Sequence, residues 1–448
     1  MSDSDGNDAR INAYLLKVAS EELDEAVQLG IDPYSKFAYD RLRELYWTSS
    51  RALGHLLRLA QKFGKMPEKP RGATLSGVIP APPQRARLLI DMTAIAKMGG
   101  NTGIQRVVRE IARNCVETGA GLPVVIDEGQ IRSFYRHPAL PEQVEPGVGD
   151  ILLILDAAWN YVDDYPPVMQ MIKARGGKSV VCIYDILPLT YPSLFQPRTV
   201  QNFQDWHERI VRKSDAAIAI SHATAESLLD FTYKGHAAPA SPFPVGWWPL
   251  GADFAKTAAE GVACKEVAQV AGGEPYFLSV GTLEPRKGYP TALDAFERLW
   301  RAGSGARYVI VGRPGWNTRA LQKRLRNHPE LGRRLFWFSN ASDADLQLLY
   351  AQARGVMLAS VAEGFGLPLV EAALHGVPVI ASDIPVFREV GGDGARYFKL
   401  LDPASLATAI EETLAQPKAP PAIKTISWAE SAKRLVKVVR EEAYQLRG

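Results

Sequence analysis

The sequence predicts two tandem doubly wound α/β domains, Rossmann-like, that face each other across a cleft and follow a helical extension. Three observations carry this. Short apolar runs ending in polar or Gly-rich turns recur in two series: "RLLIDMTAI", "DILLILDAAW", "KSVVCIYDILP" and "DAAIAIS", then "PYFLSVGTLE", "RYVIVGRPG", "RLFWFSN", "GVMLAS" and "PVIASD". Helical patterns lie between many of these runs. A small, polar stretch, residues 256–273, separates the two series and reads as an interdomain link. Continuous apolar strands alternating with helices form a parallel sheet covered on both faces. Such sheets bind ligands beyond the carboxyl ends of their strands, so two facing domains enclose a site.

Residues 1–84 form the extension. The first ten, "MSDSDGNDAR", are polar and acidic and read as disordered, not as a signal peptide. Residues 11–64 read as helices, with Leu42, Leu45, Tyr46, Ser49, Leu53, Leu56, Ala60 and Phe63 at helical spacing. Residues 41–71 carry eight basic side chains, from Arg41 and Arg43 to Lys69 and Arg71. Two acidic ones, Glu44 and Glu68, oppose them, a balance of +6 in a chain whose net charge is +3. A basic amphipathic helix of this kind suits an anionic bilayer, or packing on the first domain, or a second subunit. "KMPEKPRGATLSGVIPAPPQ" reads as a linker. The first α/β domain spans 85–255, with helical patterns at 103–117 and 198–213. The second spans 274–426, with helical patterns at 289–301, 318–326, 343–353 and 368–374. Residues 427–448 form a last helix, capped by Ser427 with Glu430 three residues on, expected to pack back on the first domain.

Composition narrows the function. With 448 residues, 46% hydrophobic and 23% charged, the chain has the make-up of a large globular protein. Net charge gives no field for nucleic acid. Cys115, Cys182 and Cys264 are odd in number and scattered, which argues against disulfides and cysteine metal sites and for a reducing cytoplasm. No apolar run approaches the ~20 residues of a spanning helix. Neither domain opens with G-x-G-x-x-G after its first strand, which disfavours a simple dinucleotide dehydrogenase.

The chemistry concentrates in "SVAEGFGLPLVEAALHGVPVIASD", residues 360–383. A strand, a glycine turn and a helix follow one another. Leu367 and Pro368 open the helix and Gly376 closes it. Gly364 and Gly366 leave room for close approach to the backbone, and a helix start attracts phosphate. Glu363 in the turn and Glu371 in the helix then suit the two ends of a bound nucleotide-sugar. Equally, Glu371 complements the helix dipole and Glu363 is a solvated turn residue. "SVGTLEPRKGYP" sets Arg286 and Lys287 at another strand end of the same domain, where neighbouring cations suit a diphosphate or form a solvated turn.

Together these segments resemble the nucleotide-sugar glycosyltransferases of the two-Rossmann-domain (GT-B) fold. They are most similar to the large retaining group called family 4, of the bacterial surface-polysaccharide type. "EGFGLPLVEA" resembles its E-x7-E signature, "GTLEPRKG" its donor diphosphate loop and "VGRPGW" its next strand-loop. "GNTGIQRVVRE" resembles its N-domain glycine loop, and "WPLGAD" its domain crossing. The likeness covers residues 87–446. It implies transfer of a sugar from a nucleotide diphosphate with retention at the anomeric carbon. Catalysis would fall to Glu363, Arg286 and Lys287. Glu371, Gly364, Phe365, Gly366, Leu367, Gly281 and Asn340 would bind the donor, with Phe338–Asn340 bordering the base. Asp185, Gly100, Thr102 and Gly103 would meet the acceptor. Mannose or rhamnose from a GDP-sugar, on a lipid-linked or growing saccharide acceptor, is preferred over a UDP-sugar. No cofactor and no metal are expected. The chain is expected in the cytoplasm, with peripheral contact at the inner face of the membrane, or self-association, through residues 41–71.

Two departures from the family stand out. Tyr184-Asp185 occupies the place of a frequent His-Asp pair, and Thr282 stands where many relatives carry arginine. Asp185 would bind an acceptor hydroxyl or cap the next turn. "DAD" at 343–345 precedes a helix and reads as cap and first-turn acids. His207, His222 and His375 lack ligand spacing, and Trp247-Trp248 reads as packing at the crossing. Two other functions remain: a nucleotide-sugar epimerase, which would not need an acceptor to turn over, and a non-catalytic glycan-binding or scaffold protein, since fold alone does not confer activity.

Overall fold

The computed structural model describes residues 7, 10, 11, 13, 14 and 17, and residues 73–447 apart from 76, 77, 82, 85, 100, 101, 235–241 and 254–261. The basic stretch 41–71 and Gly100 lie outside the described residues.

The first domain runs β1 (Leu88–Asp91), α1 (Thr93–Met98), α2 (Gly103–Glu117), β2 (Leu122–Asp127), β3 (Gln130–Ser133), β4 (Ile151–Ile154), α3 (Tyr165–Ala174), β5 (Lys178–Ile183), α4 (Pro197–Arg209), β6 (Ala216–Ala219), α5 (His222–Lys234) and β7 (Pro244–Trp247). The second runs α6 (Lys265–Ala271), β8 (Tyr276–Val280), α7 (Tyr289–Arg301), β9 (Arg307–Val311), α8 (Arg319–Arg326), β10 (Leu335–Phe338), α9 (Asp343–Gln352), β11 (Gly355–Leu358), α10 (Leu367–Leu374), β12 (Val379–Ser382), α11 (Pro385–Gly391), β13 (Ala395–Phe398) and α12 (Pro403–Ala415). Then α13 (Trp428–Arg440) and β14 (Leu446–Arg447) return to the first domain.

The second sheet has the order β10-β9-β8-β11-β12-β13, all parallel. The first has the order β14-β7-β6-β5-β4-β1-β2-β3, parallel except at its two edge pairs. The central strands are buried throughout and apolar apart from Asp91 at the end of β1 and Arg307 at the start of β9, as suits strands covered on both faces. The expected two-domain parallel architecture is therefore the observed one.

Two local features go beyond the sequence reading. Within the stretch read as a link, α6 forms a helix. Val267, Val270 and Ala271 recur at i, i+3 and i+4 and are buried, with the helix packed on α9. At the far end, α13 packs on α2, and β14 adds an antiparallel edge strand to β7. The crossing segments meet tightly there: a Cβ on Gly251 would stand 2.6 Å from the Trp428 backbone, and the Trp428 amide donates to Asp253 Oδ1 at 2.6 Å. Trp248 is buried at this junction.

Candidate active site between the two domains

β8 and β11 are neighbours in the sheet, so the loops that leave their carboxyl ends lie side by side. The β8 loop makes a single 3₁₀ turn, Pro285–Lys287, and the β11 loop carries Ser360 and Glu363. The Val361 amide donates to the Arg286 carbonyl at 2.7 Å and joins the two loops. Gly288 permits the join: its φ is +64°, and a Cβ there would stand 1.9 Å from the Ala359 carbonyl oxygen.

Glu363 accepts three hydrogen bonds. Arg286 donates to Oε2 at 2.8 Å, Lys287 to Oε1 at 2.5 Å, and the Ser360 hydroxyl to Oε1 at 2.8 Å. Its side chain is only 9% exposed. Burial alone would push this carboxyl up. The charges of Lys287 and Arg286 and the hydrogen bonds outweigh burial and hold it at about 2. Burial likewise opposes the charge on Arg286, but Glu363, Glu284 and Asp185 keep it firmly cationic. Lys287 passes over Gly281, where a Cβ would lie 3.4 Å from Lys287 Cε.

Glu371 lies in α10, whose N-cap, Gly366, has φ +95°. Its carboxylate is 5% exposed and turns to two protein partners. Arg106, from α2 of the first domain, donates to Oε1, and Tyr350, from α9, donates to Oε2 at 2.6 Å. Burial and the Glu371 charge push the Tyr350 phenol well above its ordinary range.

The first domain closes directly on the signature loop. The Gly364 carbonyl accepts from Ser221 at 2.7 Å and Thr224 at 3.1 Å. A Cβ on Gly364 would stand 1.9 Å from the Tyr184 carbonyl oxygen. At this glycine the close approach is therefore made by the facing domain. Glu389, in α11, accepts from the His222 and Ala223 amides at 2.7 and 2.8 Å, so the second domain caps α5 of the first. Phe365 is buried, Leu367 lies beside Gly103, and Asn340 is exposed past β10.

Asp185 follows β5 and accepts from the Leu187 amide at 3.1 Å, a turn-capping bond. Burial raises its carboxyl even against Arg286. Tyr184 is buried and donates to the Leu155 carbonyl at 2.9 Å, so it is a core-filling phenol. Thr102 is the N-cap of α2 in a reciprocal capping box with Gln105. Ser342 and Asp345 form the same device at α9, which accounts for "DAD" as a cap. Among the described residues no group of three or more His, Cys, Asp or Glu side chains could hold a metal ion.

Three features escaped the sequence reading. Arg106 is one of them. Tyr14 is the second: it is buried and donates to the Pro285 carbonyl at 2.7 Å, at the start of the turn that carries Arg286 and Lys287. Its spacing from buried Ile11 is the only signal the sequence offered. The third is a buried carboxylate pair at the ends of β1 and β4. Asp91 accepts from Thr93 Oγ1 at 2.5 Å and Tyr165 at 3.0 Å, and Asp156 accepts from the Ile95 amide at 2.7 Å. Together they anchor α1, which leads into the glycine loop.

Residues 264–433 match the family model described as glycosyl transferases group 1. The serotype-specific mannosyltransferase WbdA of Escherichia coli is 34% identical over 374 residues, which is 78% of this chain and 44% of that protein. The O-antigen chain mannosyltransferase RfbU of Salmonella typhimurium is 26% identical over 266 residues, 56% of this chain and 69% of that one. This chain thus spans less than half the length of WbdA. In structure it is similar to sucrose-phosphate synthase from Thermosynechococcus elongatus (TM-score 0.56, 17% identity, 80% of this chain and 99% of that one). It is also similar to Anabaena HepE, solved with UDP and glucose (TM-score 0.53, 15% identity, 80% and 100%).

Proposed function

We propose that this chain, whose residues 264–433 match the family model described as glycosyl transferases group 1, transfers mannose from a nucleotide-diphosphate sugar to a saccharide or lipid-linked acceptor in surface-polysaccharide synthesis. The observation that carries the reading is the Arg286–Lys287–Glu363 cluster at two joined strand ends, in a cleft closed by the facing domain. The similarity to two mannosyltransferases, WbdA and RfbU, supports mannose. A GDP-sugar is the preferred donor.

In the reaction the bond from the anomeric carbon to the β-phosphate oxygen breaks, and a bond from that carbon to an acceptor hydroxyl oxygen forms. The nucleoside diphosphate leaves with the electron pair, and the hydroxyl proton passes to its phosphate. Arg286 and Lys287 stabilise the charge that grows on the leaving oxygens. At rest Glu363 neutralises both cations. An arriving diphosphate takes its place on them and frees the carboxylate, still ionised, for the donor sugar. Attack from the face the phosphate leaves retains the anomeric configuration. Asp185 lies beside Arg286 on the acceptor side and receives the acceptor hydroxyl. Because two fixed cations do the work of charge stabilisation, no metal is required.

A thermal-shift series with GDP, UDP, ADP and dTDP tests the donor. A nucleotide at ~100 times its dissociation constant adds about 2.7 kcal/mol to stability. GDP is expected to give the largest shift. A shift with UDP alone reassigns the base, and none with any of the four removes the nucleotide-binding reading.

A further inference from the structure

We infer that the face of the second domain formed by α8 and the end of α7 is a docking surface for an anionic lipid bilayer. Residues 294–334 hold ten basic residues and only three acidic ones, Asp294, Glu297 and Glu330, a balance of +7 in a chain of net charge +3. The folding of α8 sorts them. Leu321 and Leu325 face the core, while Arg319, Lys323 and Arg326 recur at i, i+4 and i+7 on the opposite, exposed face. Arg298 and Arg301, at the exposed end of α7, extend the surface, and Arg313 continues it into the β9–α8 loop.

The acids of the stretch are already engaged. Arg324 bridges Asp294 and Glu297 at 2.6 Å each, which also holds α8 on α7. Arg333 and Arg334 share Glu330 at 2.6 and 2.7 Å. Arg298, Arg301, Arg319 and Arg326 have no carboxylate partner among the described residues. The charge is spread over two helices and a loop. A distributed layer of headgroups fits such a surface better than a small anion does.

Its position gives it a use, which rests on the transferase reading. The Trp316 indole, in the same β9–α8 loop, donates to the Leu194 carbonyl of the first domain at 3.3 Å, so the basic face ends at the rim of the cleft. A bilayer against it would bring a lipid-linked acceptor to the cleft mouth.

The test is sedimentation of the full chain with vesicles of phosphatidylcholine containing 30% phosphatidylglycerol, against phosphatidylcholine alone, at low and high salt. Binding is expected only to the anionic vesicles and is expected to fall with salt. At ~1 kcal/mol per basic residue near such a surface, R319E/K323E/R326E should weaken partitioning at least about 100-fold, with the nucleotide thermal shift unchanged. Wild-type-like binding by this variant overturns the inference, as does a full chain that ignores anionic vesicles. Binding to soluble polyglutamate without vesicle binding assigns the face to an acidic protein and overturns it too. Because vesicle binding needs no turnover, its failure leaves the transfer reaction to be judged by its own assay.

Discussion

Arg106, on α2 of the first domain, donates to Oε1 of Glu371, on α10 of the second, although 265 residues separate them. The same guanidinium donates to the Asp253 carbonyl at 3.1 Å and lies over the Trp428 ring at 5.9 Å. Asp253 and Trp428 belong to the two segments where the chain crosses between domains, so the pair sits beside the crossing. Glu371 is thus a carboxylate held by both domains, and a ribose that reaches it must share it with Arg106.

Arg106→Gln leaves a buried carboxylate with Tyr350 alone. Breaking a fully buried pair costs about 3–5 kcal/mol, and the partial exposure of Arg106, 26%, lowers this to about 2 kcal/mol. Denaturant unfolding should show that loss, and Arg106→Gln combined with Glu371→Gln should recover part of it. Single and double variants of equal stability to wild type would remove the pair from any structural role.

Tyr14→Phe removes one buried hydrogen bond to Pro285, worth about 1 kcal/mol. Because Pro285 opens the turn that carries Arg286 and Lys287, the expected result is a donor KM raised roughly fivefold, with acceptor KM unchanged. An unchanged donor KM would show that the N-terminal segment only packs there.

Asp91 is raised from 3.8 to about 7 by burial and by the neighbouring Asp156 charge. A carboxyl with a raised folded-state value binds its proton more tightly when folded. Its contribution is fully present below about pH 4 and is lost as pH rises through about 7. Unfolding free energy should therefore decline across that window, and Asp91→Asn should flatten the decline. The same slope in the variant would place the titration elsewhere.

If Arg286 and Lys287 supply the positive charge at the leaving group, as proposed, transfer should survive EDTA. Loss of activity with EDTA, restored by Mg²⁺ or Mn²⁺, would contradict this.

Much of the site was legible because it is local. Glu363, Arg286 and Lys287 sit in loops after apolar strands, and parallel topology brings adjacent strand ends together. Contacts across the cleft were not legible. Nothing in "GNTGIQRVVRE" marks Arg106 as a partner of Glu371, because only the closing of two domains makes them neighbours. Gly364 read as room for a ligand, whereas the Tyr184 carbonyl fills that room. The helix α6 was hidden inside a small, polar stretch, since seven residues give too short a period to stand out. Asp91 and Asp156 gave no signal, because burial of an acid depends on packing from several elements at once.

The most direct test is acceptor-dependent release of GDP from GDP-mannose by the full chain, run beside Glu363→Gln. Release is expected only when a saccharide or lipid-linked acceptor is present. Glu363→Gln is expected to keep its nucleotide thermal shift yet transfer at least ~100-fold more slowly, the scale of one lost transition-state contact. Near-normal transfer by Glu363→Gln, or equal GDP release without acceptor, would contradict the proposed reaction.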